Sequence, residues 1–353
     1  MIKPENLLIV RTDRIGDVVL TLPLAEIIKK TFPDCKITFL IREYTKSLVK
    51  DHPFIDNVLI LQEHEGKPTI RNNIKSISRE RFDACVVVYP TFTLALVIYL
   101  SGIKNIVGTG YRWYSFFFNH KVFQHRKYAE MHELEFNLNL LEIFGIHEKV
   151  EKGKVNFYLK IEKSEKVNEL VSSFVSKEKR LVIIHPGSGG SSVDLPIEKF
   201  KELVEMLNER NDVEIAITGN ESEKKLCETL IVSEKTHDFA GVFDLGELIA
   251  LINKADIFIS NSTGPVHIAS ALGKNTIGFY PNLLQCSSRR WGPYSDKSVV
   301  FTPKSQCSDC EREQCNKREC MNSIEECMNS IDMKEVYTVI LEKLNMSQTE
   351  ISE

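Results

Sequence analysis

The sequence predicts an α/β protein made of two doubly wound domains that follow one another along the chain. Apolar segments of strand composition alternate with segments of helical spacing, and several strands run directly into polar or Gly-rich loops. Strands that alternate with helices form mostly parallel sheets. The length of 353 residues exceeds the roughly 150 residues of one domain. We expect domains at 1–160 and 161–331, then a C-terminal helix and tail at 332–353.

The first domain opens with an apolar strand at residues 7–10, a polar loop containing Gly16, and a helix at 18–30. Apolar runs and helical spacing predict the following further elements: strands at 36–41, 57–61 and 82–89, and helices at 70–79, 94–100 and 132–146. Gly145 is expected to end the last of these helices.

The second domain follows a charged segment, 147–180, which we interpret as the interdomain region. Its predicted elements are strands at 180–185, 213–218, 256–260 and 276–280, and helices at 197–207, 245–253 and 266–272. A last helix at 333–344 is expected to pack back on the body of the protein.

The composition excludes several classes of protein. With 42% hydrophobic and 27% charged residues it is typical of a globular protein, and a net charge of −4 gives no reason to expect a nucleic-acid partner. No secretory signal is expected, because charged residues follow the short apolar run at 7–10, and we assign the protein to the cytoplasm. Pro90 divides the apolar stretch 84–100 into a strand and a buried helix rather than a membrane span.

The segment 104–127 contains five Lys or Arg residues and no acid, interleaved with aromatic residues. Basic residues beside exposed rings suit a phosphorylated lipid at a bilayer surface. The other interpretation is that the rings belong to the core and the charges are merely solvated. The sequence leaves both open.

A carboxylate, Asp17, lies at the first strand-to-helix corner. In open α/β sheets such corners lie at the carboxyl ends of the strands, where ligands bind. Asp17 is therefore a candidate for chemistry, and also a candidate N-cap of the helix.

The loop 186–192 follows a predicted strand and contains three glycines and three serines, including Gly187, Ser188, Ser191 and Ser192. Glycines let backbone N–H groups approach a phosphate, and serine hydroxyls can bind its oxygens. The loop has neither the ending of a P-loop nor the dinucleotide spacing. It is a candidate phosphate site or a flexible connector.

The corner at 260–267 is a second candidate anion site. Pro265 is favoured in the first turn of a helix, Ser262 or Thr263 can cap it, and Gly264 keeps its start free of side chains. An anion there would meet unpaired N–H donors and the positive end of the helix dipole. The alternative is a well-capped helix in which His267 packs beneath the loop.

Four stretches together resemble glycosyltransferase family 9, the heptosyltransferases of the lipopolysaccharide inner core. They are RTDRIGDVVLTLP at 11–23, HELEFNL at 132–138, HPGS at 185–188 and ISNSTGPVHIA at 259–269. The resemblance spans almost the whole chain, in the right order.

This resemblance implies a GT-B fold, in which two Rossmann-like domains face each other across a cleft. It implies an inverting transfer with Asp17 as the catalytic base, and a nucleotide-sugar donor bound by the second domain. The donor residues it implies are Gly187, Ser188, Ser191, Ser192, Glu221, Ser262, Thr263, Gly264 and His267, and Arg14 and Arg112 are the candidate acceptor residues. No cofactor is expected for catalysis, since the chain lacks an Asp-x-Asp motif for a divalent metal.

The sequence departs from the family pattern at the donor site. Val193 and Leu195 stand where the family usually has Lys and Trp, and Ser262 stands where it has Asp. Either the donor is not ADP-heptose, or Arg289 and Arg290 supply the missing charge, or the protein is an inactive relative.

Five cysteines are crowded into 307–327. Without an export signal they are better interpreted as thiolates than as disulfides. The family resemblance selects Cys307, Cys310, Cys315 and Cys327, with Cys327 favoured over Cys320. Four thiolates suit a structural zinc or iron ion; reduced or disulfide-linked cysteines are the alternative.

We therefore expect a cytoplasmic glycosyltransferase, in peripheral contact with the inner face of the membrane, that moves a heptose to a lipopolysaccharide-type glycolipid. The alternatives are another nucleotide sugar, or a catalytically silent scaffold that binds nucleotide sugars. A NAD-dependent dehydrogenase is disfavoured, because the first corner lacks the glycine fingerprint.

Overall fold

The computed structural model describes residues 2–304 and 324–349. The chain divides into two compact units. Unit 1 comprises Met1–Arg126 and Glu130–Lys160, and unit 2 comprises Lys127–Ala129 and Ile161–Glu353.

The sheet of unit 1 is parallel throughout. Within residues 6–122 the strands are β1 (Asn6–Val10), β2 (Lys36–Ile41), β3 (Asn57–Ile60), the short hairpin pair β4 (Glu63–His64) and β5 (Lys67–Pro68), β6 (Ala84–Val87), β7 (Asn105–Thr109) and β8 (His120–Val122). The six parallel strands in this range have the order β3-β2-β1-β6-β7-β8, which is the Rossmann arrangement. The direction in which strands are added reverses between β1 and β6. Ligands bind such sheets at the carboxyl ends of the strands beside this switch point.

The helices of unit 1 correct two predictions. They are α1 (Ile15–Val19), α2 (Pro23–Thr31), α3 (Ile70–Glu80), α4 (Phe92–Leu100) and α5 (Glu133–Leu138), with 3-10 helices at Glu43–Leu48, Ser115–Phe117, Arg126–Tyr128 and Asn139–Phe144. The helix predicted at 18–30 is two helices, because Pro23 lacks an N–H and starts a new helix. The helix predicted at 132–146 turns from α into 3-10 geometry before Gly145 ends it with a φ of 77°.

The central strand β1 of unit 1 is buried on both faces, and this is why it could be predicted from its apolar sequence. Leu7, Leu8, Ile9 and Val10 of β1 are all completely buried, since a strand in the middle of a parallel sheet is covered on both faces. Leu8 and Val10 share one core cluster with Leu94 and Ile98 of α4. The apolar stretch 84–100 is thus β6 and α4, as predicted. In the described part of the chain, no helix is long and apolar enough to cross a membrane.

Unit 2 repeats the same sheet arrangement. Within residues 180–301 its strands are β9 (Arg180–His185), β10 (Val213–Ile217), β11 (Thr236–Asp238), β12 (Ile257–Asn261), β13 (Asn275–Phe279) and β14 (Ser298–Phe301). All six are parallel and have the order β11-β10-β9-β12-β13-β14. The switch point of this sheet lies between β9 and β12.

The last helix of the described chain packs on the core of unit 2. The helices of this unit are α6 (Glu165–Phe174), α7 (Ile197–Asn208), α8 (Lys224–Glu228), α9 (Leu245–Lys254), α10 (Gly264–Ala271), α11 (Ser288–Trp291), α12 (Ile324–Asn329) and α13 (Met333–Thr349). Val336, Ile340 and Leu344 of α13 are buried in one cluster with Phe200 and Leu203 of α7. The prediction that the last helix packs back on the body of the protein is confirmed, and the structure shows that it packs on unit 2.

Apart from the hairpin pair β4 and β5, four short strands of the two parallel sheets were not predicted: β7, β8, β11 and β14. Each has three to five residues and lies towards one side of its sheet, where fewer apolar residues are needed to cover it. Their sequences therefore carry a weaker apolar signal than β1 or β9.

Candidate active site

The three predicted corners lie at the switch points of the two sheets. In unit 1, the loop 11–14 leads from β1 into α1. In unit 2, the loop 186–196 follows β9, and residues 262–263 connect β12 to α10. Since β9 and β12 are hydrogen-bonded neighbours, their two loops lie at the same edge of the sheet.

The loop after β1 is organised by a buried arginine. Only 1% of the Arg11 side chain is exposed, and its Nε donates to Asp13 Oδ1 at 2.8 Å. Its Nη2 donates to Asp17 Oδ1, and its Nη1 lies 3.6 Å from Glu133 Oε1. A buried guanidinium needs such partners, and its planar set of donors can serve several carboxylates at once.

Helix α5 supplies the far side of this cluster. Glu133 and Asn137 are four residues apart, which places both side chains on one face of a helix. Asn137 Oδ1 accepts from Arg11 Nη1 at 3.4 Å, while its Nδ2 donates to the Leu20 carbonyl at 3.2 Å. Glu133 also accepts a hydrogen bond from Arg126. The stretch HELEFNL thus supports the loop that carries Asp17.

Burial and charge alter the acid–base behaviour of this cluster. Burial raises the pKa of Asp13 to about 7, and the neighbouring Asp17 adds to the rise, although Arg11 opposes it. Burial lowers the pKa of Arg11, but Asp13, Asp17 and Glu133 outweigh it and hold that pKa above its usual value. Arg11 therefore stays charged while these carboxylates are ionised.

Asp17 lies in the first turn of α1 and is not its cap. The N-cap is Arg14, which makes no side-chain capping hydrogen bond. The Asp17 carboxylate instead accepts from Arg11, and 13% of the side chain is exposed. The alternative interpretation of Asp17 as an N-cap is therefore wrong. Its carboxylate is oriented by a buried cation and still reaches solvent.

In unit 2, the loop after β9 has a conformation that requires glycine. Gly189 and Gly190 have φ values of 55° and 72°, which only glycine adopts at little cost. At Gly187, a Cβ would collide with the carboxylate of Glu223. Glu223 in turn accepts from the Gly189 N–H at 3.2 Å and from the Asn220 N–H at 2.9 Å. The Glu223 carboxylate is therefore a structural part of this loop that we had not predicted.

Two serines of the loop have buried hydroxyls without a hydrogen-bond partner. Ser188 and Ser192 are each 7% exposed, and neither Oγ is hydrogen-bonded within the described residues. Buried polar groups in folded proteins are nearly always paired with protein, water or ligand. The same loop therefore holds two hydroxyls able to bind a ligand.

Asn261, the last residue of β12, ties the two loops of unit 2 together. It is fully buried. Its Oδ1 accepts from the Leu195 N–H at 2.8 Å, and its Nδ2 donates to the Pro186 carbonyl at 2.5 Å. The Ser191 hydroxyl adds a bond of 2.9 Å to the Ser262 carbonyl. The sequence patterns do not predict a role for Asn261. The signal that could have indicated one is a polar residue at the end of a buried apolar strand.

The start of α10 matches the prediction in its backbone but not in its cap. Thr263 is the N-cap residue with extended backbone, and Gly264 and Pro265 open the helix. The Thr263 side chain makes no capping hydrogen bond, so the predicted capping by its hydroxyl is wrong. Ser262 and His267 are buried.

The other predicted donor and acceptor residues lie on the surface. Glu221 is exposed and forms an ion pair with Lys224 at 2.8 Å. Arg14 and Arg112 are exposed. Arg14 is the N-cap residue of α1, three residues before Asp17.

Two of the three residues that depart from the family pattern, Val193 and Leu195, have a packing explanation. Val193 and Leu195 are 5% and 2% exposed and belong to the hydrophobic core of unit 2. Arg289 and Arg290 lie on α11, a few residues after Cys286, whose Sγ is 3.9 Å from the Ser191 carbonyl. Helix α11 thus follows a residue that touches the glycine- and serine-rich loop.

The predicted metal ligands fall almost entirely outside the described residues. This applies to Cys307, Cys310 and Cys315, whereas Cys327 is described and half-buried. Among the residues the structure describes, no group of three or more His, Cys, Asp or Glu side chains could hold a metal. The structural metal stays a prediction.

Comparison with known proteins gives a consistent result. The model of glycosyltransferase family 9 (heptosyltransferase) matches residues 70–321. A protein of Haemophilus influenzae, itself only provisionally assigned as a glycosyltransferase, is 31% identical over 318 residues, covering 85% of this chain and 89% of its own. The lipopolysaccharide core heptosyltransferase OpsX of the same species is 23% identical over 287 residues, with 78% and 79% covered. The solved E. coli ADP-heptose lps heptosyltransferase II has a TM-score of 0.77 at 17% identity, with 97% and 99% covered.

Proposed function

Because the chain belongs to glycosyltransferase family 9, we propose that it moves a heptose from ADP-heptose to a lipopolysaccharide-type glycolipid. That it is a glycosyltransferase with a GT-B fold follows from the family and from its two parallel-sheet units. The choice of donor is supported by a relative named as a lipopolysaccharide core heptosyltransferase and by a structural neighbour named for ADP-heptose.

The main support for the proposed donor site is that the hydroxyls of Ser188 and Ser192 have no hydrogen-bond partner among the described residues. They lie in a glycine-rich loop at the switch point of unit 2, where open sheets bind nucleotides. In the proposal they donate to oxygens of the donor diphosphate, as does the start of α10 at Gly264, where helix N–H groups have no partner within the helix.

In the proposed reaction, Asp17 acts as the base. An acceptor hydroxyl attacks the anomeric carbon, its proton passes to Asp17, and the bond from the anomeric carbon to the phosphate oxygen breaks with its electron pair on the nucleoside diphosphate. Attack from the side opposite the leaving group inverts the anomeric centre. Arg11 orients the carboxylate for this step and keeps it within reach of solvent.

The leaving diphosphate gains negative charge that the protein must stabilise. The proposal assigns this to the hydroxyls and backbone N–H groups of the loop 186–192, with Arg289 or Arg290 of α11 as the cation. The sequence contains no Asp-x-Asp pair that would hold a divalent ion on the diphosphate. We therefore propose a mechanism that needs no catalytic metal.

Arg14 and Arg112 are the proposed acceptor residues. Both are exposed cations of unit 1, the unit that carries Asp17. Guanidinium groups suit phosphate and carboxylate groups of a glycolipid core because they can bind two oxygens at once.

A panel of donors tests this proposal. Purified protein is incubated with a lipopolysaccharide core acceptor and ADP-heptose, ADP-, GDP- or UDP-hexoses, and sugar incorporation is measured by mass spectrometry. Transfer only from ADP-heptose supports the proposal. Transfer from another nucleotide sugar would identify that sugar as the donor. This is the second candidate function, because Ser262 stands where the family has Asp. Binding without transfer from any donor would indicate a silent scaffold.

The structural metal is tested separately. Metal analysis of protein purified without oxygen should give about one zinc or iron per chain if Cys307, Cys310, Cys315 and Cys327 form one four-thiolate site. A C307S/C310S double variant should lose it. Less than half an equivalent in the unaltered protein would count against the site.

A further inference from the structure

Unit 1 carries a continuous group of aromatic rings, which we call the aromatic patch. Phe92, Tyr99, Trp113 and Phe116 are exposed, and the partly buried Phe117 joins them. Trp113 is 72% exposed, Phe116 63% and Tyr99 53%. The rings touch in sequence, with centroid distances of 4.9 Å for Phe92 and Trp113, 6.1 Å for Phe92 and Phe117, 5.2 Å for Tyr99 and Phe117, and 4.4 Å for Phe116 and Phe117. A second exposed pair, Tyr111 and Phe123, is at 5.5 Å.

This patch decides between the two interpretations of segment 104–127. Tyr114 and Phe118 are buried in the core of unit 1, as the simpler interpretation requires. Trp113 and Phe116 are not. Contiguous exposed rings on a folded surface indicate an interaction site.

Helix α4, which lies outside segment 104–127, also exposes apolar side chains. It is apolar or aromatic at nearly every position, FTLALVIYL. Leu94, Ala95, Val97 and Ile98 pack on the sheet, whereas Phe92, Tyr99 and Leu100 are exposed. A surface helix normally has a polar outer face, so the outer face of α4 is suited to an apolar environment.

The charge beside the patch is positive. The segment 104–127 has five Lys or Arg residues and no acid, in a chain whose net charge is −4. Lys104, Arg112 and Lys121 are exposed within unit 1, and Arg112 directly precedes Trp113. The partner of this surface must therefore be apolar in part and negatively charged.

We propose that the aromatic patch and its basic border dock unit 1 onto an anionic phospholipid bilayer. Aromatic rings favour the membrane interface, and Lys and Arg side chains bind the anionic headgroups. A second copy of this chain fits less well, because a two-fold contact through the same face would bring both basic borders together. The proposal concerns where the protein lies and does not depend on which sugar it transfers.

Vesicle co-sedimentation of the full-length protein tests the proposal. We expect binding to vesicles of phosphatidylethanolamine and phosphatidylglycerol, and much weaker binding to phosphatidylcholine vesicles. W113S/F116S should lower the partition coefficient at least tenfold. K104S/K121S should lower it on the order of 30-fold, at about fivefold for each basic residue near an anionic surface.

Matched controls come from unit 2. Ile231 and Val232 are exposed apolar residues, and Lys177 and Lys201 are exposed cations. I231S/V232S and K177S/K201S should bind vesicles like the unaltered protein. Circular dichroism confirms that each variant is folded; the substituted patch residues are exposed and should not affect it.

Three results would overturn the proposal. One is no binding to anionic vesicles, and another is equal binding to neutral ones. The third is self-association, measured by light scattering, that W113S/F116S abolishes while vesicle binding is unchanged; this would make a second copy of the chain the occupant of the patch.

Discussion

The amide side chain of Asn261 joins β12 to the loop after β9, accepting from the Leu195 N–H at 2.8 Å and donating to the Pro186 carbonyl at 2.5 Å. Both partners are backbone groups of the loop that carries Ser188 and Ser192. One fully buried side chain therefore fixes this loop at two points, in addition to the contacts made by Glu223 and Ser191.

We predict that Asn261→Ala loosens this loop. The substitution leaves a buried N–H and a buried carbonyl unpaired, at a cost of about 1–3 kcal/mol for each group. Thermal unfolding should show the loss of stability, and calorimetry should show weaker donor binding. Asn208→Ala is the matched control, since Asn208 also links a helix to a strand of unit 2, through Thr236 Oγ1 at 3.2 Å. It should cost stability without weakening donor binding; equal donor affinity in both variants would contradict the assigned role.

Asp17→Asn should abolish transfer while leaving donor affinity largely intact. General-base catalysis contributes about 10²- to 10⁴-fold to a rate, and the amide cannot accept the proton. The measurement is kcat in the transfer assay together with donor Kd by calorimetry. Glu43→Gln, at an exposed acid of unit 1, should leave both values unchanged. A near-normal rate for Asp17→Asn would show that another group is the base.

Removing the unpartnered hydroxyls should weaken donor binding without destabilising the protein. Ser188→Ala and Ser192→Ala each delete a buried hydroxyl that has no partner in the described structure. Each should raise the donor Kd by roughly 10- to 100-fold, as expected for a hydrogen bond of about 1.5–3 kcal/mol to a charged group. The melting temperature should stay the same or rise.

Ser191→Ala is the informative comparison for these two variants. Its hydroxyl already donates to the Ser262 carbonyl, so this substitution should lower the melting temperature. If Ser188→Ala and Ser192→Ala instead lower the melting temperature and leave the donor Kd unchanged, their hydroxyls serve the fold and not the ligand.

Stability should fall as the pH drops from about 6.5 to 4. Burial lowers the pKa of His52 and of His185 to about 4, whereas a histidine in the unfolded chain titrates near pH 6.5. Between these values each of the two histidines binds more protons in the unfolded state than in the folded state, so the stabilisation present above pH 6.5 is lost on acidification. Asp13, whose pKa burial raises to about 7, binds more protons in the folded state and offsets part of this loss.

Melting temperatures measured between pH 7.5 and 4.5 check this pH dependence. His52→Asn should flatten the decline, because it removes one of the two buried groups. His147→Asn, at an exposed histidine, should leave the decline as it was. A decline that is equally steep in all three proteins would show that other groups cause it.

Much of the architecture could be predicted from local pattern. Central strands such as β1 and β9 are buried on both faces, so their sequences are unbroken apolar runs, and the predicted 36–41 and 180–185 match β2 and β9 to the residue. Pro23 and Gly145 also mark the start of one helix and the end of another, because Pro lacks a backbone N–H and Gly readily adopts a positive φ. The short strands β8 and β11 were not predicted, because three residues contain too little apolar pattern to distinguish a strand from a loop.

The candidate site was predictable in its positions more than in its contacts. Asp17, Ser188 and Thr263 all lie at strand-to-helix corners, as the sequence predicted. The sequence did not indicate that Glu223 holds the glycine loop, that Asn261 ties two loops together, or that Val193 faces the core. The first two depend on residues more than 30 positions away in the chain, and the third depends on the packing of the unit 2 core.

By itself the sequence determined two α/β domains, the family, and the strand-to-helix corners that carry Asp17 and the glycine- and serine-rich loop. Those features follow from local periodicity and from motifs whose residues are adjacent in the chain. Only the tertiary structure decided that Arg11 is the buried centre of a carboxylate cluster completed by Glu133, and that Trp113 is exposed while Phe118 is buried. Burial and long-range hydrogen bonds arise when distant segments pack together, so no local pattern can specify them.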